Sequence, residues 1–390
     1  MKVDFVSALF GKPGGGENAT RTLAETLIEQ GVDVRVVGTR SAARAFPYAS
    51  VLPGTDRIPA MLVTYGWNPL LDRLFERRLL EYLQSRRPDV VVLEDHMLFV
   101  AAAAAVKRYN ADGGNAKVVM SQIWDVDTSF FYEFRARPLA WWMHRHFSRL
   151  NAMARDFDLV NAYVPFHRSE LIRLFHTDPE KIVTVQTTTV EVSHLPRPAT
   201  LEGRPTFVAP GRICPEKGCF FLLDAIEVLR RRTHDFTVEF YGTGPSERKL
   251  RREIARRGLS ENAVVKGVVP REQLWEAMPR AVATCVPIMY PPGYTCVALE
   301  SLGAGVPLIV FDHGAVRDLI ENGKTGYAVP PRDAAAYAEA MHEFVKNPNS
   351  SLAMELACRQ KLVEVAPVRD GAAALMRTFT ERFGNGAARA

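Results

Sequence analysis

Residues 211–218 read GRICPEKG and hold two cations, Arg212 and Lys217. Arginine presents a planar, permanently charged fork that matches phosphate, and lysine adds a mobile point charge. The stretch follows an apolar run and opens a helical pattern, so both cations stand at the carboxyl end of a strand, where they suit a diphosphate. Solvated charges at a helix start are the plainer alternative. Residues 291–307, PPGYTCVALESLGAGVP, hold one carboxylate, Glu300, and upstream of it no Asp or Glu occurs back to Glu276. Thr295 is of the type that caps a helix, here one running from about Cys296 to Leu302. The amides of such an N-terminus attract an anion without any cation. Glu300, a turn and a half inside, can accept from the two hydroxyls of a ribose, as acidic residues do in other nucleotide sites; it also fits an ordinary surface Glu.

Weaker signals surround these two. GKPGGGENA, residues 11–19, is not a GxGxxG fingerprint, but Gly14, Gly15 and Gly16 permit close approach of a ligand to backbone, with a helix N-terminus behind them. YGTGP (241–245) and KGVVP (266–270) can bring backbone close to a base or a ribose, or make tight turns. His96, in EDHML, ends a Val-rich run, and a histidine at a strand end is a better functional candidate than one in a core. Asp125 and Asp127 in WDVD form a DxD of the kind metal sites use, though so short a match is common by chance and a structural reading is preferred.

The elements that must position these residues alternate. KVDFVSAL reads as a strand, ENATRTLAETLIEQ as a helix with Leu23, Leu27 and Ile28 on one stripe, and Gly31 ends it before VDVRVVG. DVVVLED (89–95), KVVMSQIW (117–124) and DLVNAYV (158–164) look like buried parallel strands separated by helices. SHLPRPATLEGRP (193–205) is proline-rich, lacks periodicity and reads as an interdomain linker. Alternation then restarts with TFVAPGR, FTVEFYG, AVVKGV, AVATCVPI, VPLIVFD and GYAVP. The fold class is therefore α/β, with two doubly wound sheets in tandem and the expected site in a central cleft between domains that face each other. The expected boundaries are 1–195 and 196–366. The tail from Pro367 carries Val368, Ala372, Leu375, Met376 and Phe379 on one side of a helix, about 367–386, expected to rejoin the first domain.

Composition is consistent with this. A chain of 390 residues suggests two domains, 47% hydrophobic content supports real cores, and 24% charged content argues against disorder. A net charge of +5 is too weak to argue for nucleic acid. Five cysteines without CxxC spacing read as buried thiols rather than a zinc site or a disulfide scaffold. The longest apolar run, MLFVAAAAAV (97–106), is short of the roughly 20 residues a membrane span needs and reads as a buried helix. MKVDFVSALF is interrupted by Asp4 and reads as a strand rather than a leader. A cytoplasmic protein is expected.

In this order, the pieces resemble glycosyltransferase family 4, retaining enzymes with the GT-B fold: two tandem Rossmann-like domains. GRICPEKG resembles that family's phosphate motif, YGTGPSERKL its glycine-rich strand end, GYTCVALESLGAGVPLIVFDHGAVRDLIENGKTGYAVPPRD its signature block, and GGGENA with GVDVRVVG its first β-α-β unit. The resemblance implies transfer of a sugar from a nucleotide diphosphate sugar, the donor and co-substrate, to an acceptor hydroxyl, with no cofactor and no obligatory metal, which demotes WDVD. It implies catalytic roles for His96, Arg212 and Lys217. It implies donor binding by Gly15, Gly16, Gly211, Gly242, Gly244, Val265, Gly293, Tyr294, Thr295, Cys296, Val297 and Glu300. The family brackets its signature block with two Glu; Glu300 fits the second, but Pro292 stands where the first belongs, and Thr188 and Thr189 replace a usual Asn-Gly. Pro292 points to an unusual donor sugar, to backbone contacts, or to a catalytically silent GT-B scaffold subunit; a nucleotide-sugar epimerase of related fold is a further alternative. Residues 130–147, FFYEFRARPLAWWMHRHF, allow an acceptor wall, a peripheral contact with the inner face of the membrane, or a helix packing Trp141 and Trp142 into the core, the last preferred.

Overall fold

A computed structural model of the chain describes residues 1–8, 10, 15–39, 41–56, 69–94, 98–122, 153–186, 196–366 and 368–384. His96, Asp125, Asp127, Thr188, Thr189 and the aromatic stretch 130–147 lie outside the described residues. The chain divides into two compact units, Met1–Thr189 with Val368–Ala390, and Val190–Pro367.

Unit 1 is built on a parallel sheet. Its strands are β1 (Lys2–Val6), β2 (Asp33–Gly38), β3 (Ala49–Val51), β4 (Val90–Leu93), β5 (Lys117–Gln122), β6 (Leu159–Ala162) and β7 (Ile182–Val183), in the order β3-β2-β1-β4-β5-β6-β7. The Val-rich runs are central because both faces of a parallel sheet are covered: all four residues of β4 are buried, and Val3 pairs with Val34 on one side and Val90 on the other. Helices α1 (Gly15–Glu29), α2 (Pro69–Arg86), α3 (Phe99–Ala111) and α4 (Pro165–Phe175) cross between strands. The alanine-rich run is buried helix: Ala101, Ala102, Ala105 and Val106 of α3 share a core with Phe75, Leu79 and Leu83 of α2. Among the described residues no helix is long and apolar enough to cross a membrane. Asp4, on β1, is buried; Arg86 spans it and Asp33 at 3.2 and 2.7 Å, and Tyr82 donates to it at 2.9 Å.

Unit 2 has strands β8 (Thr206–Pro210), β9 (Thr237–Tyr241), β10 (Ala263–Gly267), β11 (Ala283–Val286), β12 (Leu308–Phe311) and β13 (Gly326–Val329), all parallel, in the order β10-β9-β8-β11-β12-β13. The chain builds outward from β8 to β10, then returns to the other side of β8 to lay down β11. That reversal makes the carboxyl ends of β8 and β11 the switch point at which doubly wound sheets hold ligands. Its helices are α5 (Cys219–Arg230), α6 (Glu247–Arg256), α7 (Arg271–Ala277), α8 (Cys296–Gly303), α9 (Ala334–Lys346), α10 (Ser350–Ala353) and α11 (Glu355–Val365). The last helix, α12 (Val368–Phe383), belongs to unit 1, where Ala372, Leu375 and Phe379 pack with Leu23 and Leu27.

The proline-rich segment differs from a loose connector. Residues 196–205 form neither helix nor strand, but Arg197 is 7% exposed and its guanidinium makes five hydrogen bonds, to the carbonyls of Pro279, Ala281, Gly305 and Ser351 and to Ser351 Oγ, at 2.7–3.0 Å. Burial lowers its pKa to about 10, and the carbonyl cage compensates part of that cost. One arginine thus fastens an aperiodic segment into unit 2.

Candidate active site

The switch point of unit 2 is walled by the exits of β8 and β11. After β8, Gly211 takes φ +143°, and no atom stands within 4 Å of where a side chain would begin. Arg212 follows, its side chain 60% exposed, with Nη2 donating to Glu216 Oε1 at 2.9 Å. Pro215–Lys217 form one 3-10 turn, closed by Gly218 at φ +77°. A Cβ on Gly218 would lie 1.9 Å from the carbonyl oxygen of Pro287, so only glycine lets this turn press against the chain leaving β11. Met289 N donates to Glu216 O at 3.0 Å across the same contact. Lys217 Nζ donates to Tyr290 Oη at 2.9 Å and stands 5.2 Å from that ring's centroid.

The second wall is the start of α8. Thr295 caps it, its hydroxyl accepting from Ala298 N at 3.3 Å. Glu300 is not solitary: Arg271 Nη2 lies 3.3 Å from Glu300 Oε1, and the Arg271 guanidinium stacks 4.9 Å from the centroid of Trp275. Burial, and then the charge of Glu300, push the Cys296 thiol up to about 11; the charges of Lys217 and Arg271 pull the other way. Burial likewise raises the Tyr294 phenol to about 12, keeping it neutral. The five thiols are unpaired as disulfides, four of them buried, and burial raises every one.

Gly211, Arg212, Lys217, Thr295 and Val297 line one pocket that opens to solvent. The other sites implied by the sequence fall differently. Gly242 and Gly244 are tight-packing positions: a Cβ on them would lie 2.1 Å from Gly211 O and 2.3 Å from Ile213 O, so they let the β9 exit support the β8 exit. Val265 is buried in the core on β10, the edge strand, and does not line the pocket, because a strand-interior side chain there points into helix packing. Gly293 is buried. Gly15 and Gly16 open α1 in unit 1. Pro292 is a packing residue: its carbonyl accepts from Ala315 N at 2.7 Å, and Gly314, at φ +63°, leaves only 2.5 Å between its would-be Cβ and Pro292. Glu216, Tyr290, Arg271 and Trp275 escaped the sequence reading. Only Glu216 carried a signal, its i+4 spacing from Arg212.

Two family models match the chain, Glycosyltransferase Family 4 over residues 13–188 and Glycosyl transferases group 1 over residues 194–361. The chain belongs to glycosyltransferase family 4. Curated relatives of this family member include alpha-D-kanosaminyltransferase of Streptomyces kanamyceticus, 28% identical over 54% of this chain and 55% of that protein. Glycogen synthase of Mycobacterium tuberculosis is 25% identical over 72% of this chain and 65% of that protein. The chain thus spans about half to two thirds of the length of these relatives. Among solved structures, HepE of Anabaena in complex with UDP superposes with a TM-score of 0.75 at 15% identity, covering 98% of this chain and 100% of that one. Sucrose-phosphate synthase of Thermosynechococcus elongatus gives 0.78 at 15% identity, with 98% and 99% covered. The likeness shows the fold, GT-B.

Proposed function

We propose that this family 4 member is a retaining, metal-independent glycosyltransferase that moves a sugar from a nucleoside diphosphate sugar to an acceptor hydroxyl. The observation that carries the reading is the convergence of Arg212, Lys217 and the capped start of α8 on one pocket at the switch point of unit 2. A diphosphate there meets a fork, a point charge and helix amides together. As the bond from the anomeric carbon to the β-phosphate oxygen breaks, charge grows on that phosphate. Arg212 and Lys217 stabilise it without a metal ion, an effect worth about 3–4 kcal/mol for one preorganised donor. A new bond forms from the anomeric carbon to the acceptor oxygen, whose proton passes to phosphate. Glu300 holds the ribose, and the backbone from Gly293 to Val297 meets phosphate and sugar. His96, Gly15 and Gly16 keep the roles the resemblance gives them.

Relatives support the class of donor: HepE was solved with UDP-glucose, and a mannosyltransferase of Mycolicibacterium smegmatis is GDP-mannose-dependent. The acceptor is a glycan, a lipid or a small metabolite, reached from the cytoplasm, with peripheral contact at the inner face of the membrane if it is a lipid. No cofactor beyond the nucleotide sugar is required. Pro292 favours a second reading, a catalytically silent GT-B subunit. Incubation with UDP-, GDP-, ADP- and dTDP-sugars, with and without acceptors, separates the two. Turnover or slow hydrolysis of one donor, with α-configured product from an α-linked donor and no loss on adding a chelator, is expected; absence of turnover with every donor supports the silent subunit.

A further inference from the structure

We infer that Arg271 is a positioning residue for Glu300 and thereby sets the site's preference for ribose-bearing donors. The inference rests on the proposed function and concerns a residue outside the pocket-lining set. Arg271 opens α7, directly after the end of β10, whereas Glu300 lies in α8, which follows β11. The fold brings them together at 3.3 Å, with side chains 29% and 16% exposed. Two features make this more than a surface ion pair. Stacking of the guanidinium on Trp275, one turn further along α7, fixes the fork before any ligand arrives, so little rotamer freedom remains to be lost. Glu300 sits in α8, whose cap Thr295 and first-turn Val297 line the pocket, so the pair stands beside the phosphate-binding end of the site.

Arg271 Nη2 donates to Oε1 of the carboxylate. A carboxylate accepts at about four positions, so the same group can take Arg271 and the two ribose hydroxyls at once. Arg271 then fixes the plane of the carboxylate, and its effect on affinity depends on there being hydroxyls for Glu300 to receive. A donor lacking them gains nothing from the orientation.

The test is a calorimetric titration with uridine, guanosine and adenosine diphosphates and their 2′,3′-dideoxy counterparts, using the whole chain. Wild type, Arg271→Gln, Glu300→Gln and the double variant are compared. With the preferred ribonucleotide, Arg271→Gln weakens binding about tenfold, the scale of one charge-assisted hydrogen bond. With the dideoxy nucleotide it changes binding less than twofold, and in the Glu300→Gln background it has no further effect. Arg271→Lys, which keeps the charge but loses fork and stack, gives an intermediate loss and guards against a variant that fails to fold. Equal losses on both nucleotides, or losses that add to those of Glu300→Gln, overturn the inference, because Arg271 then touches the nucleotide directly or serves only to support the fold. Wild type that binds none of the nucleotides overturns the proposed function and this inference with it.

Discussion

Gly218→Ala tests whether the backbone, and not only the charge of Lys217, builds the proposed diphosphate site. Gly218 adopts φ +77°, and its Cβ would stand 1.9 Å from Pro287 O, where real contacts begin at 3.0 Å. The turn carrying Lys217 must therefore retreat by about 1.1 Å. The left-handed backbone adds about 1–2 kcal/mol for a residue with a side chain, and the overpacked contact about 1–3 kcal/mol. A charged donor that retreats by that distance loses its hydrogen bond to the ligand, worth about 1.5–3 kcal/mol of binding. The suitable control is Gly323→Ala, at φ +79° with nothing within 4 Å, which carries the backbone strain without the clash. Thermal unfolding and nucleotide titration on both variants separate the terms. Gly323→Ala should lose about 1–2 kcal/mol of stability and keep its affinity, whereas Gly218→Ala should lose more stability and bind nucleotide at least about tenfold more weakly. Equal nucleotide affinity in the two variants would refute the reasoning.

Three further outcomes follow. Burial pushes the Asp4 carboxyl from 3.8 up to about 6, against the hydrogen bond from Tyr82 and the charge of Arg86. Its folded state therefore holds the proton more tightly, so its stabilising contribution is present below pH 3.8 and is lost as pH rises through about 6. Asp4→Asn should gain about 2–3 kcal/mol relative to wild type between pH 4 and 7 in denaturant titrations, and a difference that stays flat with pH contradicts this. Arg197→Met leaves four buried carbonyls and a serine hydroxyl without their donor, so the urea midpoint of unit 2 should fall by the equivalent of about 3–5 kcal/mol; a loss under about 1 kcal/mol would show the cage to be incidental. Four thiols are buried and burial raises all five, so a disulfide reagent at pH 8 should modify at least four slowly in the folded protein and all five rapidly in urea; a second fast thiol in the folded protein contradicts the burial of the four.

Much of the fold was legible because its signals are local. Val-rich runs bounded by helical stripes give parallel strands, and Thr295 before CVALE gives a capped helix start. The switch point then follows from strand order, which the sequence does not print. What escaped depends on distance along the chain. Lys217 meets Tyr290 only because β8 and β11 lie side by side, and Arg271 meets Glu300 only because the crossover from β10 back to β11 brings α7 beside α8. Arg197 sat in a stretch whose prolines announced a linker, and nothing local shows that four distant carbonyls await it. Gly242 and Gly244 were equally compatible with ligand approach and tight turns; the backbone of Gly211 and Ile213 against them supplies the packing reason. Glu300 stands alone in its own stretch of sequence, whereas Arg271, which pairs with it, lies on the preceding β-α unit.

The central claim, that a nucleoside diphosphate is held by Arg212 and Lys217 at the switch point of unit 2, is tested most directly by calorimetric titration of UDP, GDP, ADP and dTDP into wild type, Arg212→Ala and Lys217→Ala. The account predicts that wild type binds at least one of them and that each variant loses on the order of tenfold or more in affinity while keeping its unfolding temperature, since both side chains sit at the pocket rather than in a core. Equal, weak binding by wild type and both variants would contradict it.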